Sequence, residues 1–359
     1  MRPTGLAASW RRAKLRRLLV GVLVSLVVPG SMSAQASDDN GAVMLTYHRF
    51  GEDSYPSTNI RLDQFDRHIE ILTNGDFNVL PLSDVIAAFK EGTPLPDRTV
   101  VITVDDAYQS VYQEAWPRLS AAGLPFTIFV ATDMVGGGRN MMTWEEIREV
   151  SAAGVEIGAH SAAHEHMPFM DRGAIEADFA RMTAAFNEEL GFVPSIYAYP
   201  YGEYSPELVD LVAAAGYDAA LGQHSGVAYD GDNLFTLPRF ALNERYGEPE
   251  RFDLIVEALP LPVSDVLPSG MLIAENLGEN NPPQIGFTVD EAVGSLSQLN
   301  CFASNDADVA LEILGDDHVE VRLSSPFPPG RSRLNCTLPG PDGRWRWMGL
   351  PFLLPGGTD

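Results

Sequence analysis

The feature that most constrains the fold is a repeated alternation of short apolar runs with amphipathic helical segments between about Gly41 and Val256. The runs are rich in β-branched residues, and the segments between them space apolar residues three or four apart and end at glycines. Repeated β–α units of this kind predict a mostly parallel sheet, either open or closed into a barrel. The strand-like runs include AVMLTYH, VVITVDD, PFTIFVAT, VEIGAHS, SIYAYPYG and DAALG.

The alternation ends near residue 260, where LPLPVSDVLPSG has the composition of a proline-punctuated linker. Beyond it, apolar and polar residues alternate with period two in short runs separated by Gly, Pro and Asp, which predicts a small antiparallel β domain, a sandwich. We therefore expect an α/β domain over residues 41–258 and a β-sandwich domain over residues 269–359. The period-two runs are VALEILG, HVEVRLSS, SRLNCTL and GRWRWMGL.

Residues 1–36 have the pattern of a secretory signal peptide. The basic stretch SWRRAKLRR precedes a short apolar run, Leu18 to Val28, and Ala34 and Ala36 occupy the small positions of a cleavage site. The apolar run is shorter than the roughly 20 residues that span a bilayer. The alternative is an uncleaved anchor. We expect an exported protein, periplasmic or secreted, with no stable membrane span after cleavage.

The charge of the chain excludes some partners. All six basic residues before residue 37 would leave with the signal peptide, so the rest keeps 18 Lys and Arg against 49 Asp and Glu. Such a negative chain is a poor match for nucleic acid or anionic lipid. It suits a neutral or cationic ligand, or an acidic surface that serves only solubility.

Two cysteines, Cys301 and Cys336, lie in the predicted sandwich. In an exported protein the simplest prediction is that they form a disulfide, with two free buried thiols as the alternative. Neither has a second Cys or His at ligand spacing, which argues against a metal role.

The apolar strand VVITVDD runs directly into two acids, Asp105 and Asp106. Successive side chains of a strand point to opposite faces, so the two carboxylates can share a site only if the strand ends there. Capping of the following helix is the alternative, but it would explain one acid and not both.

Two further stretches follow strands of the same predicted sheet. In EIGAHSAAHEHM, His160 and His164 are four residues apart, a spacing that can aim two imidazoles at one point on a helical turn or a compact loop. His166 lies two residues further on and should face elsewhere. In YAYPYGEYSPEL, an aromatic turn precedes a helix, a pattern that often reflects packing alone.

Because the carboxyl ends of parallel strands meet at one edge of the sheet, these three stretches should lie together. A divalent cation would explain why two acids stand side by side. One Asp would bind the cation, and the cation would relieve the repulsion from the other.

The residues of this edge resemble a known family. TVDDAY, HSAAH and AYPYG are similar to three motifs of the polysaccharide deacetylases, the NodB-homology domain of carbohydrate esterase family 4. MLTYHRF and PFTIFVAT extend the resemblance, which covers about Val43 to Phe240 and is closest to the exported poly-N-acetylglucosamine deacetylases. The resemblance implies a distorted (β/α)7 barrel and a catalytic role for residues 41–258.

The resemblance also implies roles for individual residues. Asp106, His160 and His164 would hold a divalent metal, most simply Zn²⁺ with Co²⁺ or Ni²⁺ as alternatives, and Asp105 would be the general base. The backbone N–H of Tyr201 would stabilise the oxyanion, with Tyr199 beside it in the same motif. Hydrolysis of an N-acetylated glycan would then release acetate.

The chain departs from the family at several positions. Ala107 replaces the usual Gly after the Asp pair, and Ala198 replaces an Arg that often orients the base. Arg239, in LPRF, could take that role from another strand. No late leucine–histidine motif is evident, and His224 reads as a loop residue.

The general acid is therefore expected elsewhere, and His48 at the end of the first strand is the best candidate. An imidazole with an ordinary pKa near 6.5 suits proton donation near neutral pH, although His48 could instead cap the strand. The expected function is N-deacetylation of a GlcNAc-containing polysaccharide. The alternatives are a metal-dependent amidase on a non-glycan substrate and a catalytically silent glycan-binding protein.

The predicted sandwich raises one further question. Trp345 and Trp347 alternate with arginines, so both indoles should lie on one strand face, packed in the sandwich core or, alternatively, stacked on sugar rings. With the tryptophans in the core, a chain ending near Val263 should keep its activity on short oligosaccharides.

Overall fold

The computed structural model describes residues 40–272, 281–305 and 308–356, and all of them fall in one compact unit. The predicted signal peptide lies outside these residues. Within the described ranges, none of the helices combines the length and the apolar character needed to cross a bilayer.

Nineteen strands are described. They are β1 (Gly41–Tyr47), β2 (Arg49–Phe50), β3 (Asn59–Ile60), β4 (Asn78–Val79), β5 (Thr99–Asp105), β6 (Thr127–Val130), β7 (Glu156–Ala159), β8 (Ile196–Ala198), β9 (Ala219–Leu221), β10 (Ala228–Tyr229), β11 (Phe240–Ala241), β12 (Leu259–Pro260), β13 (Val263–Leu267), β14 (Ile285–Val289), β15 (Asn300–Ala303), β16 (Val309–Leu314), β17 (His318–Leu323), β18 (Gly330–Pro339) and β19 (Trp345–Leu354).

Seven α-helices connect or flank them in the first part of the chain, and a π-helical turn, Val111–Ala115, leads into the third. The helices are α1 (Leu62–Asn74), α2 (Leu82–Glu91), α3 (Trp116–Ala122), α4 (Trp144–Ala152), α5 (Arg172–Glu189), α6 (Pro206–Ala214) and α7 (Pro249–Val256). The start of α4 follows from its sequence: the Thr143 hydroxyl accepts a hydrogen bond from the Glu146 backbone N–H, and the Glu146 carboxylate accepts one from the Thr143 backbone N–H.

The large sheet has nine strands in the order β10-β1-β5-β6-β7-β8-β9, with β11 paired to β1 and β4 to β5. All pairings along β1 to β9 are parallel. The sheet curls back on itself, because Leu237 bridges to Leu221 at the end of β9 while β11 pairs with β1 in parallel. The distorted (β/α) barrel expected from the motifs is thus the observed fold, and its parallel strands deliver their carboxyl ends to one rim.

The central strands are apolar on both faces because both faces are covered. Every residue of β5 is buried. Val100, Ile102 and Val104 belong to the main core, whereas Val101 packs in a second cluster with residues of α2. This two-sided burial explains why the strand carries no polar alternation.

The C-terminal part is a sandwich of two four-stranded sheets, β12-β19-β18-β15 and β13-β14-β17-β16. Pairing is antiparallel except between β12 and β19. Cys301 and Cys336 lie opposite each other on β15 and β18 and form the predicted disulfide.

The prediction that both tryptophans pack in the sandwich core is wrong. Trp345 is exposed, and Trp347 packs against the core of the α/β part, with its ring 5.2 Å from that of Phe240. The alternating neighbours on β19 point the other way, and Met348 lies in the sandwich core. The reason is that the outer face of this sheet is covered by the barrel, so both faces of β19 are partly buried.

Candidate active site

The two acids of the VVITVDD stretch occupy different positions because the strand ends between them. Asp105 is the last residue of β5 and is fully buried. Asp106 has φ 77° and Ala107 has φ 51°, so the chain turns sharply in the left-handed region. Ala107 carries a cost there that Gly would avoid, roughly 1 kcal/mol, which gives a physical reason for the family's preference at this position.

Asp105 is fixed by an arginine that lies far from it in the chain. Arg239, just before β11, donates from Nη1 to Oδ1 at 2.7 Å and from Nη2 to Oδ2 at 2.8 Å, and both side chains are fully buried. Arg239 also donates to the carbonyl of Gly222 at 2.8 Å and to the Thr103 hydroxyl at 3.0 Å. Burial alone would raise the pKa of Asp105, but the guanidinium outweighs it and lowers that pKa to about 2.

Three groups converge beside this pair. His164 Nε2 lies 3.1 Å and His160 Nε2 lies 3.4 Å from Asp106 Oδ1. Burial opposes ionisation of Asp106, yet the two imidazoles hold its pKa well below the ordinary value. Asp106 Oδ1 and His160 Nε2 are buried and form no geometrically sound hydrogen bond with any group in the described part of the chain.

These atoms fit a divalent cation. His160 Nδ1 donates to the carbonyl of Ala198 at 2.7 Å, which leaves the lone pair of Nε2 directed at the site. The donor atoms of Asp106, His160 and His164 all lie within 4.8 Å of one another. Two imidazole nitrogens and one carboxylate oxygen form a typical ligand set for a catalytic zinc ion with open positions.

The two histidines meet through a compact loop rather than a helical turn. Ser161 and His164 both have left-handed backbones, with φ 64° and 55°. Asp178, buried on α5, accepts from the backbone N–H of Ala162 at 2.8 Å and of Ala163 at 3.0 Å. Asp178 thus holds the loop that carries the ligands, a role that no local pattern in the sequence indicated.

His48 lies at the same rim, just after β1, and is linked to the base through Gln223. The Gln223 side-chain nitrogen is 3.1 Å from Asp105 Oδ2 and 3.3 Å from His48 Nε2, so it can donate one hydrogen to each. Burial lowers the pKa of His48, and the charges of Asp106 and Asp105 oppose that effect. Gln223 lies in the LGQHSG stretch after β9, and no local pattern in the sequence marks it, rather than its neighbour His224, as a residue of the site.

The aromatic motif divides into a turn at the site and a residue in the core. Tyr201 has φ 58°, and its ring centre lies 4.5 Å from that of His164. Tyr199, in the same motif, is fully buried and donates its hydroxyl hydrogen to the carbonyl of Phe235, so its side chain points into the core.

The remaining histidines lie outside the ligand group. His166 stacks on Tyr201 and bonds Glu203, as expected for a residue facing away from the ligands. His224 lies in a bend after β9, and burial lowers its pKa to about 3.

Comparisons with known proteins agree with this geometry. Residues 92–220 match the family model described as polysaccharide deacetylase. YxkH of Bacillus subtilis is 23% identical over 196 residues, which cover 55% of this chain and 69% of YxkH. The poly-β-1,6-N-acetyl-D-glucosamine N-deacetylase of Escherichia coli is 23% identical over 252 residues, and the match spans 58% of this chain but only 37% of that enzyme. The solved structure of IcaB from Ammonifex degensii has a TM-score of 0.54 at 25% identity and covers 61% of this chain and 98% of IcaB.

Proposed function

We propose that this chain is a polysaccharide deacetylase that hydrolyses N-acetyl groups of a GlcNAc-containing polysaccharide and releases acetate. The observation that best supports the proposal is that two adjacent acids have different partners. Asp106 converges with two imidazoles on a cation site, whereas Asp105 is held apart by Arg239. We assign catalysis to residues 41–258. The sandwich already includes β12 and β13, so it begins before residue 269, the boundary expected from the sequence.

The cation, which we take to be Zn²⁺ with Co²⁺ or Ni²⁺ as substitutes, would polarise the acetyl carbonyl and lower the pKa of a water molecule. Asp106, His160 and His164 would hold it. The orphaned Asp106 Oδ1 and His160 Nε2 support this assignment, because buried polar atoms without partners are costly unless a ligand satisfies them.

Asp105 takes the proton of the attacking water. Its carboxylate accepts two hydrogen bonds from Arg239 and one from Gln223, which leaves one further acceptor position. The lowered pKa keeps Asp105 ionised throughout the physiological pH range. The same low pKa makes the protonated form short-lived, so the proton passes on readily to a more basic group.

His48 delivers a proton to the leaving nitrogen. An amide nitrogen only donates, so the Gln223 contact places a lone pair, not a proton, on His48 Nε2 in this geometry. His48 must therefore become protonated within the reaction cycle. Burial lowers its pKa, and the nearby carboxylates of Asp106 and Asp105 partly oppose that effect. Gln223 keeps the base and the acid at a fixed separation.

The developing negative charge on the acetyl oxygen is stabilised by the backbone N–H of Tyr201. This turn lies against the ring of His164, next to the cation site. A backbone donor fixed in a strained turn needs no reorganisation when the tetrahedral species forms. The acidic chain suits the cationic glucosamine product, and the N-terminal sequence supports export to the periplasm or the medium.

The test is an acetate-release assay on a substrate panel. The purified protein, loaded in turn with Zn²⁺, Co²⁺ or Ni²⁺, is incubated with β-1,6- and β-1,4-linked N-acetylglucosamine oligomers and with an N-acetylated peptide. Acetate from one of the glycans, with none from the peptide, is the expected result. Release from the peptide alone would assign the site to a non-glycan amidase, and no release from any substrate would favour a silent binding protein.

A further inference from the structure

The C-terminal sandwich contacts the turn that carries Tyr201. Arg331, at the start of β18, donates from Nη1 to the backbone carbonyl of Tyr201 at 3.0 Å. Its guanidinium carbon also lies 5.5 Å from the centre of the Tyr201 ring. The two residues are separated by 130 positions in the chain and belong to the two different parts of the fold.

The same arginine also contacts a second residue beside this turn. Arg331 Nε lies 3.7 Å from Oε1 of Glu203, whose side chain is almost fully buried. Glu203 Oε2 is 2.7 Å from His166 Nδ1, and the His166 ring stacks on Tyr201 at 4.1 Å. A buried carboxylate requires charged or hydrogen-bonding partners, and Arg331 approaches this one from the sandwich.

The turn needs such support because its backbone is strained. Tyr201, a bulky residue, has φ 58° and ψ 4°, a left-handed conformation that persists only when its surroundings enforce it. At the next position, Gly202 lies so close to Gln223 that an added Cβ would come within 2.5 Å of it. The turn therefore contacts both Gln223 of the barrel and Arg331 of the sandwich.

The sandwich is firmly seated, so Arg331 can act as a fixed support. An added Cβ on Gly349 would lie 2.1 Å from the carbonyl oxygen of Ser225, which marks a very close approach of the two backbones. The Val227 backbone N–H donates to the carbonyl of Trp347 at 3.3 Å, and Trp347 packs on Phe240. These contacts tie β19, the neighbour of β18, to the barrel next to the site.

We propose that the sandwich helps to form the active site. In this proposal Arg331 is a positioning residue for the turn at Tyr201, whose backbone N–H stabilises the oxyanion. The inference rests on the proposed function, in which the Tyr201 N–H stabilises the acetyl oxyanion. It replaces the expectation that a chain ending near Val263 keeps its activity, because such a chain lacks Arg331.

The test compares Arg331→Met with Arg322→Met in the full-length, metal-loaded protein. Arg322 is a matched control: it lies on the other sheet of the sandwich and pairs with Glu312 and Glu320 at the surface. For Arg331→Met we expect kcat on the glycan to fall about 10- to 100-fold, the range for a residue that orients active-site groups, with KM and metal content unchanged. Arg331→Lys keeps the charge but not the planar fork, so it should recover part of the rate.

Hydrogen–deuterium exchange of the segment 199–205 provides a readout that does not depend on activity. Faster exchange confined to this segment in Arg331→Met, and absent in Arg322→Met, is expected. The proposal is overturned if exchange there is unchanged, if it rises equally across the sandwich, or if kcat matches that of the control. A wild-type protein that releases no acetate would refute the proposed function, while the exchange result would still decide whether Arg331 holds the turn.

Discussion

Replacing Arg239 with methionine should destabilise the fold and reverse the response of Asp105 to pH. The wild-type side chains form a fully buried bidentate pair. Removing one partner leaves an uncompensated buried charge, which typically costs about 3–5 kcal/mol. We therefore expect Arg239→Met to lower the free energy of unfolding at pH 7 by about that amount.

The pH dependence follows from the pKa of Asp105. In the wild type that pKa falls from 3.8 to about 2. The ionised group therefore contributes about 2 kcal/mol of stability above pH 4, which is lost as the pH falls towards 2. In Arg239→Met the burial effect is no longer offset by the guanidinium, so the pKa of Asp105 should rise above its ordinary value. The protonated form is then the favoured one in the fold, and the deficit of the variant should shrink between pH 7 and pH 4.

The assay is guanidinium chloride unfolding at pH 7 and pH 4, with EDTA present throughout so that metal binding does not contribute. The double variant Asp105→Asn/Arg239→Met completes a double-mutant cycle and should show a coupling energy above about 1 kcal/mol. The buried pair would not stabilise the fold as described if Arg239→Met lowered the free energy of unfolding at pH 7 by less than about 1 kcal/mol. The same would follow if the effects of the two substitutions were additive within about 0.5 kcal/mol.

Two further predictions concern the neighbours of the site. His48→Ala should lower glycan turnover by about 10²- to 10⁴-fold with unchanged metal content, and the deficit should shrink for an activated aryl acetate whose leaving group needs no proton; normal turnover, or loss of the metal, would show that His48 is not the acid. Asp178→Ala should release the loop that carries His164 and weaken zinc binding by about 10- to 100-fold in a chelator competition titration, with Asp178→Asn in between because one oxygen acceptor remains. Unchanged zinc affinity in Asp178→Ala would mean that the loop holds its shape without this carboxylate.

Local sequence patterns predicted the parallel sheet and the antiparallel β domain, and the family resemblance supplied the barrel and the ligand group. The β–α alternation predicted the parallel sheet, and the Thr143 capping box marked the start of α4. The stretches after β5 and β7 were expected to lie together because parallel strands share one carboxyl rim, and the resemblance identified Asp106, His160 and His164 within them as ligands.

The contacts that complete the site could not be read in this way, because they join residues far apart in the chain. Arg239 and Asp105 are separated by 134 positions, and Gln223 and His48 by 175. The alternation of residues along the predicted strand indicated that Trp345 and Trp347 share a face, but it could not indicate that the barrel covers that face. The position of Arg331 depends on how the sandwich seats on the barrel, which no pattern within either part encodes.

If Asp105 is the general base and Asp106, His160 and His164 hold the cation, metal binding and turnover should be lost separately in variants of these residues. Metal content and acetate release are measured in the same samples of wild type, Asp105→Asn and His164→Ala, with an N-acetylglucosamine oligomer as substrate. Asp105→Asn should retain one metal per chain but release no acetate, and His164→Ala should lose both. Near-normal acetate release by Asp105→Asn, or full metal occupancy in His164→Ala, would contradict this assignment.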